Sequence, residues 1–444
     1  MCIFAFMLYR LLKAIVWTGV RLFYREVKVI NKQYLNFDGP AIIIANHPNT
    51  IMDAWMMGYV NDRRVYFMAK STFFSSPFKK KILNALGMIP INRKSDGAIA
   101  GVNNKDSFEA CYSLLERGDI LVVFPEGTSY LERKLRELKT GTARIALEVE
   151  KRNQGKLGLK IVPIGLNYID ASSYRGKVMV HVGKPFTIDS NDLELYSTSA
   201  GKAAKSLTEE FRVALSRVFV SLEDSEKEKL SEEIAFILDD RKQRGKRGVN
   251  QSIRLLQKIS SGLDEMSLTA PYKLEEAKNL TQELLDNIRF LGVRPDWIGR
   301  KYRSTMYSRQ MVQSVLFLLL TLPIALFGLL HNFIPYYFIG WILPRITKDE
   351  EYHAPLAILM GLILYPLIYA GFAVGFSFFG LGFWILLAYL IALPLTGIFA
   401  HFYARYWRHI GSKFRFTQML RKRKQIFVEL KAKKARLNSL ILGE

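Results

Sequence analysis

The strongest constraint on the fold of this chain is a set of long apolar runs near its C-terminus. Residues 312–343, 355–376 and 380–401 contain no Asp, Glu, Lys or Arg. An α-helix needs about 20 apolar residues to cross a hydrocarbon layer roughly 30 Å thick, and each run meets that length. The sequence therefore predicts a membrane protein with a transmembrane region over residues 311–403.

Prolines and glycines divide this region. Pro323 and Pro335 interrupt the first run, so we expect it to form either a re-entrant hairpin or two short, tilted spans. Gly380 and Gly382 mark a turn, so the second and third runs are expected to form a transmembrane hairpin. Both flanks of the region are basic, and basic flanks stay cytoplasmic. With both flanks on one side, an even number of crossings is expected.

The formal net charge of +23 indicates an anionic partner, either a nucleic acid or an anionic membrane surface. Residues 404–444 form a basic tail, which we expect to lie on the cytoplasmic side as an amphipathic helix on lipid headgroups. Nucleic-acid binding is the alternative, but no recognised nucleic-acid-binding motif accompanies the tail. The expected partners are therefore membrane lipids and no nucleic acid.

Residues 1–30 predict an amphipathic helix without the small-residue cleavage site of a signal peptide. On a helical projection its basic and apolar residues fall on different sides. This pattern favours a helix lying in the membrane interface, and a helix packed on the following domain is the alternative. The basic residues are Arg10, Lys13, Arg21 and Arg25, and the apolar ones are Phe4, Leu8, Leu11, Leu12 and Ile15.

Residues 31–190 alternate short apolar runs with helical segments. The runs at 41–47, 120–127, 159–168 and 178–182 predict strands, and residues 107–117 and 140–151 predict helices. This alternation is typical of a three-layer α/β domain, in which functional residues lie just beyond the strand ends. Residues 191–310 then predict a helical soluble region, with a break over residues 260–271.

A histidine and an aspartate follow the first of these strands. His47 ends the run and Asp53 lies six residues later. A neutral imidazole can remove a proton from a hydroxyl near pH 7, and a carboxylate on its other nitrogen would orient it. A histidine that lies near an aspartate for structural reasons is the alternative.

Three further blocks end strand-like stretches. Residues 87–93 deliver Arg93, whose planar guanidinium suits a phosphate. Residues 124–129 contain Glu126, which would hold an acceptor hydroxyl or orient its loop and Arg93, and Gly127, which permits a close backbone approach. Residues 162–165 offer no titratable group and would shape the site. A surface arginine, an ordinary turn and simple packing are the respective alternatives.

The order and spacing of these four blocks resemble those of the glycerolipid acyltransferase superfamily, which includes lysophosphatidate and glycerol-3-phosphate acyltransferases. The resemblance covers roughly residues 23–187. It implies that His47 is the catalytic base, that Asp53 orients it and that Arg93 binds the acceptor phosphate. The remaining substrate-binding residues that it implies are Glu126, Gly127, Thr128 and Ser129.

Two departures from the common family pattern refine the resemblance. Five residues rather than four separate His47 from Asp53, which requires a bulged first turn, and Ser129 stands where an arginine is usual. Lys139, Arg133 or Arg144 would have to supply the missing charge, and of these three Lys139 is the expected substrate-binding residue. Both departures, and the Leu-Lys-x-Gly match at residues 138–141, are similar to the fungal-type glycerol-3-phosphate and dihydroxyacetone-phosphate acyltransferases.

The implied reaction transfers a fatty acyl chain from acyl-CoA or acyl carrier protein to a glycerol-phosphate hydroxyl. Glycerol 3-phosphate or dihydroxyacetone phosphate is favoured as acceptor, and lysophosphatidate or a lysophospholipid is the alternative. We expect neither a metal nor a cofactor, and the two cysteines are too few for a disulfide framework. A membrane transporter is the alternative outside enzymes, although the spans carry few of the ionisable residues that transport sites use.

Overall fold

The chain divides into two compact units in the computed structural model, Met1–Glu223 with Asp349–Pro355 and Asp224–Lys348 with Leu356–Glu444. We call them the α/β unit and the helical unit. The residues that the structure describes are 2–92, 104–169, 171, 174–222, 225–238, 248–298, 304–349, 352–380, 382–422 and 424–443.

The α/β unit is built on a mixed sheet. Its strands are β1 (Glu26–Ile30), β2 (Ala41–Ala45), β3 (Val65–Lys70), β4 (Met88–Ile91), β5 (Ile120–Val123), β6 (Lys160–Ile169), β7 (Lys177–Val182) and β8 (Phe186–Thr187). Their order across the sheet is β1-β7-β6-β2-β5-β3-β4, and β8 pairs with β6. Pairing is parallel except where β6 meets β7 and β8.

Strand β2 lies at the centre of the sheet, and all five of its residues are buried. It runs parallel to both neighbours, with Ile44 opposite Val123 of β5 and Pro163 of β6. A strand buried on both faces reads as a continuous apolar run, which explains the Ile-Ile-Ile sequence. Because β2, β3, β4 and β5 are parallel, the residues that follow them meet at one edge of the sheet.

Helices cover both faces of the sheet. On one face, Leu115, Ile145 and Phe211 join Ile42 and Ile44 in a buried apolar core. Side chains alternate along a strand, so Ile43 points to the opposite face. The helices of this unit are α1 (Cys2–Phe23), α2 (Thr50–Val60), α3 (Pro77–Ala85), α4 (Asn104–Glu116), α5 (Gly141–Arg152), α6 (Ser190–Thr198) and α7 (Ala200–Ser216). The predicted α/β fold class is confirmed.

Two boundaries of the unit differ from the sequence prediction. Helix α1 ends at Phe23, and Glu26–Ile30 is not helical but forms β1, parallel to β7 with Val27 opposite Val178. At the other end, α7 packs on the sheet through Leu207 and Phe211, although the sequence pattern predicts a separate helical region there. An apolar stripe on α7 matches the sheet face, and the sequence pattern of one helix cannot show which partner covers it.

The helical unit contains α8 (Ser225–Leu238), α9 (Val249–Thr269), α10 (Pro271–Leu291), α11 (Ser304–Ile346), α12 (His353–Ser377) from Leu356 onward, α13 (Phe383–Lys422) and α14 (Lys424–Leu442). Helices α8, α9, α10 and α14 share one apolar core with the C-terminal part of α13. Ile234, Leu263, Leu284, Phe416 and Leu437 represent these five helices in that core.

The break predicted over residues 260–271 is wrong in its extent. Helix α9 continues through Thr269, and the chain turns only at Ala270 before Pro271 begins α10. Gly262 lies within this helix and packs against α14. A Cβ added there would lie 2.7 Å from the carbonyl oxygen of Ile441 in α14, so only glycine permits this approach.

The first apolar run does not form the predicted hairpin or pair of short spans. It belongs to one helix of 43 residues, α11, with Pro323, Pro335 and Pro344 inside it. Prolines are tolerated within membrane helices, because neighbouring helices and polar side chains satisfy the backbone groups that they free. Within the part of the chain that the structure describes, three helical segments are long and apolar enough to cross a membrane, namely Ser308–Ile346, His353–Ser377 and Phe383–Gln418.

Helices α11 and α13 pack against each other in antiparallel directions. Lys413 Nζ donates to Gln310 Oε1 at 2.9 Å near the start of α11, and Asn332 Nδ2 donates to the carbonyl of Leu393 at 3.1 Å further along. Gly328 lies so close to α13 that an added Cβ would be 2.0 Å from a backbone oxygen. The start of α11 and the end of α13 therefore lie at the same end of this pair.

Candidate active site

His47 and Asp53 lie together beyond the end of β2. His47 Nδ1 is 2.9 Å from Asp53 Oδ2. The His47 side chain is 13% exposed and that of Asp53 is fully buried. Because the carboxylate engages Nδ1, Nε2 is the ring nitrogen that can accept a proton from a substrate. The pair has the arrangement of a general base with its orienting carboxylate.

The fifth intervening residue is accommodated at the start of α2. Thr50 begins this helix with a φ of 38°, a value that residues other than glycine rarely adopt. Asp53 then lies in the first helical turn, and the backbone N–H of Asn49 donates to its Oδ2 at 2.7 Å. A helix N-terminus favours negative charge. The bulged turn thus returns Asp53 to His47 despite the longer spacing.

Two buried tyrosines flank Asp53. The hydroxyl of Tyr168 in β6 donates to Asp53 Oδ1 at 2.8 Å, and the Tyr24 ring lies 5.9 Å from the Tyr168 ring. Burial raises the pKa of both phenols, and the negative charge of Asp53 adds to the effect. Neither tyrosine was among the predicted site residues. Tyr168 is 115 positions from Asp53, so only the parallel pairing of β2 with β6 brings it there.

Glu126 joins the loop after β5 to the loop after β2. Its Oε1 accepts the backbone N–H of His47 at 2.9 Å, and its Oε2 accepts the backbone N–H of Arg136 at 3.3 Å. Burial raises the pKa of Glu126, and these two hydrogen bonds oppose the rise. The neighbouring Phe124 stacks on the His47 ring, with centroids 4.0 Å apart. Of the two roles predicted for Glu126, the geometry matches orientation of the loops.

The backbone at Gly127 lies in close contact with the side chain of Lys139. The φ of Gly127 is +77°, and an added Cβ would lie 2.6 Å from Lys139 Nζ. Lys139, Thr128 and Ser129 all line the adjoining cavity. Glycine thus provides both the left-handed turn and the close approach of the lysine.

Two of the three basic residues that are predicted as substitutes for the usual arginine do not line the cavity. Arg133 donates to the carbonyl of Tyr168 at 2.9 Å, and Arg144 is exposed on α5. Lys139 is therefore the predicted substitute that the structure places in the cavity.

Arg93 lies outside the described residues. The residue before it, Asn92, lines the cavity at the end of β4 and exchanges two hydrogen bonds of 2.9 Å with Asn104. Lys70, the last residue of β3, also lines the cavity and was not predicted. Lys70 ends a strand that carries no recognisable motif, so only the parallel sheet shows that this lysine lies at the cavity.

The cavity that contains His47 has a volume of about 1530 Å³. One part of its wall is apolar, and the part near residues 127–129 is polar, which suits a substrate with a hydrocarbon chain and an anionic head. Apolar lining residues include Ile51, Trp55, Phe67, Met68, Phe73, Phe78, Ile82, Leu83, Met88, Ile91 and Phe108. Across the described ranges, no three His, Cys, Asp or Glu side chains are grouped to hold a metal ion.

The fourth block, residues 162–165, packs next to the strand end that carries His47. A Cβ on Gly165 would lie 2.1 Å from the carbonyl oxygen of Val218, so glycine permits this segment to cross β6. Next to it, Asn46 accepts the backbone N–H of Leu166 at 2.7 Å and donates to its carbonyl at 3.0 Å. These bonds fix the end of β2 directly before His47.

Comparison with known proteins finds similarity within the α/β unit. A family model described as Acyltransferase matches residues 26–167. An uncharacterized acyltransferase of Schizosaccharomyces pombe is 31% identical over 20% of this chain and 13% of its own length. Glycerol-3-phosphate O-acyltransferase 2 of Saccharomyces cerevisiae is 25% identical over 31% of this chain and 18% of its own length.

The chloroplastic 1-acyl-sn-glycerol-3-phosphate acyltransferase LPAT1 of Arabidopsis thaliana is 26% identical over 29% of this chain and 32% of its own length. The chain thus spans less than a third of the length of each of these three relatives. The crystal structure of the lysophosphatidate acyltransferase PlsC of Thermotoga maritima aligns with a TM-score of 0.34 and 21% identity, over 47% of this chain and 78% of that one. Residues 26–167 of this chain are therefore similar to the acyltransferase family, and two of these relatives are named as glycerol-3-phosphate and 1-acyl-sn-glycerol-3-phosphate acyltransferases.

Proposed function

We propose that this protein is a membrane-bound O-acyltransferase that moves a fatty acyl chain from acyl-CoA or acyl carrier protein to a glycerol-phosphate hydroxyl. The observation that carries the proposal is the pairing of His47 Nδ1 with buried Asp53 at 2.9 Å, at a cavity with apolar and polar walls. This pairing orients a base toward bound substrate, which is the chemistry that acyl transfer to a hydroxyl requires.

In this reaction His47 Nε2 accepts the proton of the acceptor hydroxyl as its oxygen attacks the thioester carbonyl. The tetrahedral intermediate then collapses, the carbon–sulfur bond breaks and His47 returns the proton to the departing thiolate. Asp53 stabilises the imidazolium that exists between the two steps. General-base catalysis of this kind contributes about 10²–10⁴ in rate, and binding both substrates side by side supplies much of the remainder.

Several features favour glycerol 3-phosphate or dihydroxyacetone phosphate as acceptor. The five-residue spacing and Ser129 follow the fungal-type pattern, and two yeast relatives carry the name glycerol-3-phosphate O-acyltransferase. Lys139 beside Gly127 offers a cation for the phosphate, and we assign Arg93 and Lys70 to the same anion. The Gly127–Ser129 turn would hold the glycerol end of the acceptor.

The exposed face of α1 supports a location at the membrane, where a lipid product would reside. On α1, Lys13 Nζ donates to the carbonyl of Asn61 and Arg21 Nε donates to the hydroxyl of Tyr59, so these basic residues face α2. Met7 and Leu11 are instead 65% and 59% exposed. An outward apolar face suits a helix at the membrane interface. We place the catalytic unit and the basic tail on the cytoplasmic side.

An acceptor panel tests the proposal. Purified full-length protein in detergent would be incubated with palmitoyl-CoA or palmitoyl–acyl carrier protein and each of four acceptors. These are glycerol 3-phosphate, dihydroxyacetone phosphate, lysophosphatidate and lysophosphatidylcholine. Thiol release and product mass are measured, and the fastest turnover is expected with one of the first two acceptors.

Each other outcome has a definite meaning. Faster turnover with lysophosphatidate or the lysophospholipid would assign the protein to that acceptor and contradict the preference for glycerol 3-phosphate or dihydroxyacetone phosphate. Acceptor-dependent thiol release in detergent also separates an enzyme from a transporter, because an enzyme needs no sealed vesicle. Absence of thiol release with every donor and acceptor would overturn the proposed function.

A further inference from the structure

We propose that Tyr168 is a positioning residue for acyl transfer, and that its hydroxyl holds the Asp53 carboxylate in the orientation that makes His47 an effective base. The proposal rests on the function proposed above. Tyr168 would act through Asp53 and would not touch the substrate. It comes from β6, outside the segment that carries the His47–Asp53 pair.

The hydrogen bonds around Asp53 define its orientation. Oδ2 accepts from His47 Nδ1 at 2.9 Å and from the Asn49 backbone at 2.7 Å, and Oδ1 accepts from Tyr168 at 2.8 Å. The first two donors belong to the same short segment of chain as Asp53, between the end of β2 and the first turn of α2. Tyr168 belongs to the sheet, so its bond fixes the carboxylate against a rigid element.

Tyr168 is itself held in place. Its backbone carbonyl accepts a hydrogen bond from Arg133 at 2.9 Å, and the residue is 5% exposed. The ring of Tyr24 packs beside it, and β6 is paired with β7 through Tyr168 and Val178. A buried phenol next to a carboxylate stays protonated, because burial and the negative charge both raise its pKa. It is therefore a hydrogen-bond donor at every pH where the enzyme would work.

The consequence for catalysis follows from charge. Among the residues that the structure describes, the titratable groups that interact with Asp53 are His47, Tyr168, Tyr24 and Glu126. A hydroxyl that donates to the carboxylate draws negative charge away from the side that faces His47. Without that bond the carboxylate stabilises the imidazolium more strongly and is less well oriented. Proton transfer from the imidazolium to the leaving thiolate is then slower, and a higher pH is needed to deprotonate His47 before the reaction.

The test is Tyr168→Phe in the full-length protein, assayed for thiol release over a range of pH. Removing a hydrogen bond to a charged group is expected to lower kcat about tenfold. The KM values should stay within about twofold, because Tyr168 does not contact substrate. The acid limb of the kcat/KM profile should move upward by about half a pH unit.

Tyr196→Phe is the matched control. The Tyr196 hydroxyl donates to the Glu148 carboxylate at 2.9 Å, so this substitution removes the same kind of bond away from the site. Its kcat and pH profile should match those of the wild type. If Tyr168→Phe does not fold, 3-fluorotyrosine introduced at position 168 retains the ring and is a stronger donor. The acid limb should then move to lower pH.

The proposal is overturned if a folded position-168 variant leaves kcat and the acid limb within error of the wild type, or if it raises only an acceptor KM. These results differ from those expected if the proposed function is wrong. If the protein is not an acyltransferase, the wild type and Tyr196→Phe would release no thiol, and the proposed role of Tyr168 would be rejected together with the activity. A working wild type with an unmoved acid limb rejects Tyr168 alone.

Discussion

The backbone N–H of His47 donates to the Glu126 carboxylate at 2.9 Å, although the two residues are 79 positions apart. The second carboxylate oxygen accepts the backbone N–H of Arg136. Glu126 therefore uses both oxygens to hold loops, and it fixes the backbone of the histidine that we propose as base. The Pro-Glu-Gly turn is thus part of the support of the histidine as well as part of the cavity wall.

Glu126→Ala should destabilise the α/β unit. The substitution leaves two backbone N–H groups without their acceptor, and a buried unsatisfied group costs about 1–3 kcal/mol. We expect a loss of about 2–4 kcal/mol in the free energy of unfolding, measured by denaturant titration. Glu132→Ala is the control, because that carboxylate is 44% exposed and pairs with Arg136 at the surface. Equal stability of the two variants would contradict the assigned role.

Lys139→Met should weaken acceptor binding. Lys139 Nζ lies over Gly127 in the cavity, and the loss of one cation from a phosphate site is expected to raise the acceptor KM about tenfold. The KM for acyl donor should stay within about twofold. Lys134→Met, an exposed lysine of the same loop, should change neither value. Arg93→Ala is predicted to raise the acceptor KM as well. An unchanged acceptor KM would remove the substituted residue from the phosphate site.

Cys111 should be unreactive until the α/β unit unfolds. It is fully buried in the core, and burial raises the pKa of its thiol from 9.0 to about 12. The thiolate is the reactive form, so at pH 8 only about one folded molecule in 10⁴ carries it. In a Cys2→Ser background, maleimide labelling should require denaturant. Rapid labelling without denaturant would contradict this burial.

Burial of the Cys111 thiol also predicts a pH dependence of stability. Above about pH 9 the unfolded chain releases the thiol proton and the folded chain does not, so the free energy of unfolding should fall as pH rises toward 12.

Tags should reveal both flanks of the membrane region on one side. Helices α11 and α13 are antiparallel, and α10, α14 and the end of α13 share one apolar core. We expect a tag at Ala270 and one after Glu444 to be digested by protease from the same side of the membrane. A tag at Gly380, next to the start of α13, is the control and should be protected. Three single crossings by α11, α12 and α13 would instead place the two flanks on opposite sides.

Much of the α/β unit could be predicted from sequence, because local patterns specify it. The Ile-rich run of β2 and the polar residues that follow it indicate a buried parallel strand with a site at its end. Strand β1 was missed, since Glu26–Ile30 follows an amphipathic helix without a break. Its pairing with β7 depends on residues 151 positions away, which no local pattern specifies.

In the candidate site, too, local patterns predict some residues, and others depend on strand pairing that is distant in sequence. His47, Asp53 and Glu126 follow strand ends within recognisable blocks, so their neighbourhood could be predicted. Tyr168 and Lys70 could not, because their role depends on which strands are adjacent in the sheet. The prolines of α11 were misleading for a different reason: packing against α13 stabilises a continuous helix that propensity alone would interrupt.

The central claim is that His47 is the base of an acyl transfer, and His47→Ala tests it most directly. The variant would be purified in detergent beside the wild type, and both would be incubated with palmitoyl-CoA and glycerol 3-phosphate or dihydroxyacetone phosphate. Circular dichroism and an unchanged melting temperature would show that the variant is folded. We predict thiol release by the wild type with an acylated product, and a loss of at least about 10³ in kcat for the variant. A folded His47→Ala protein with wild-type kcat would contradict the account.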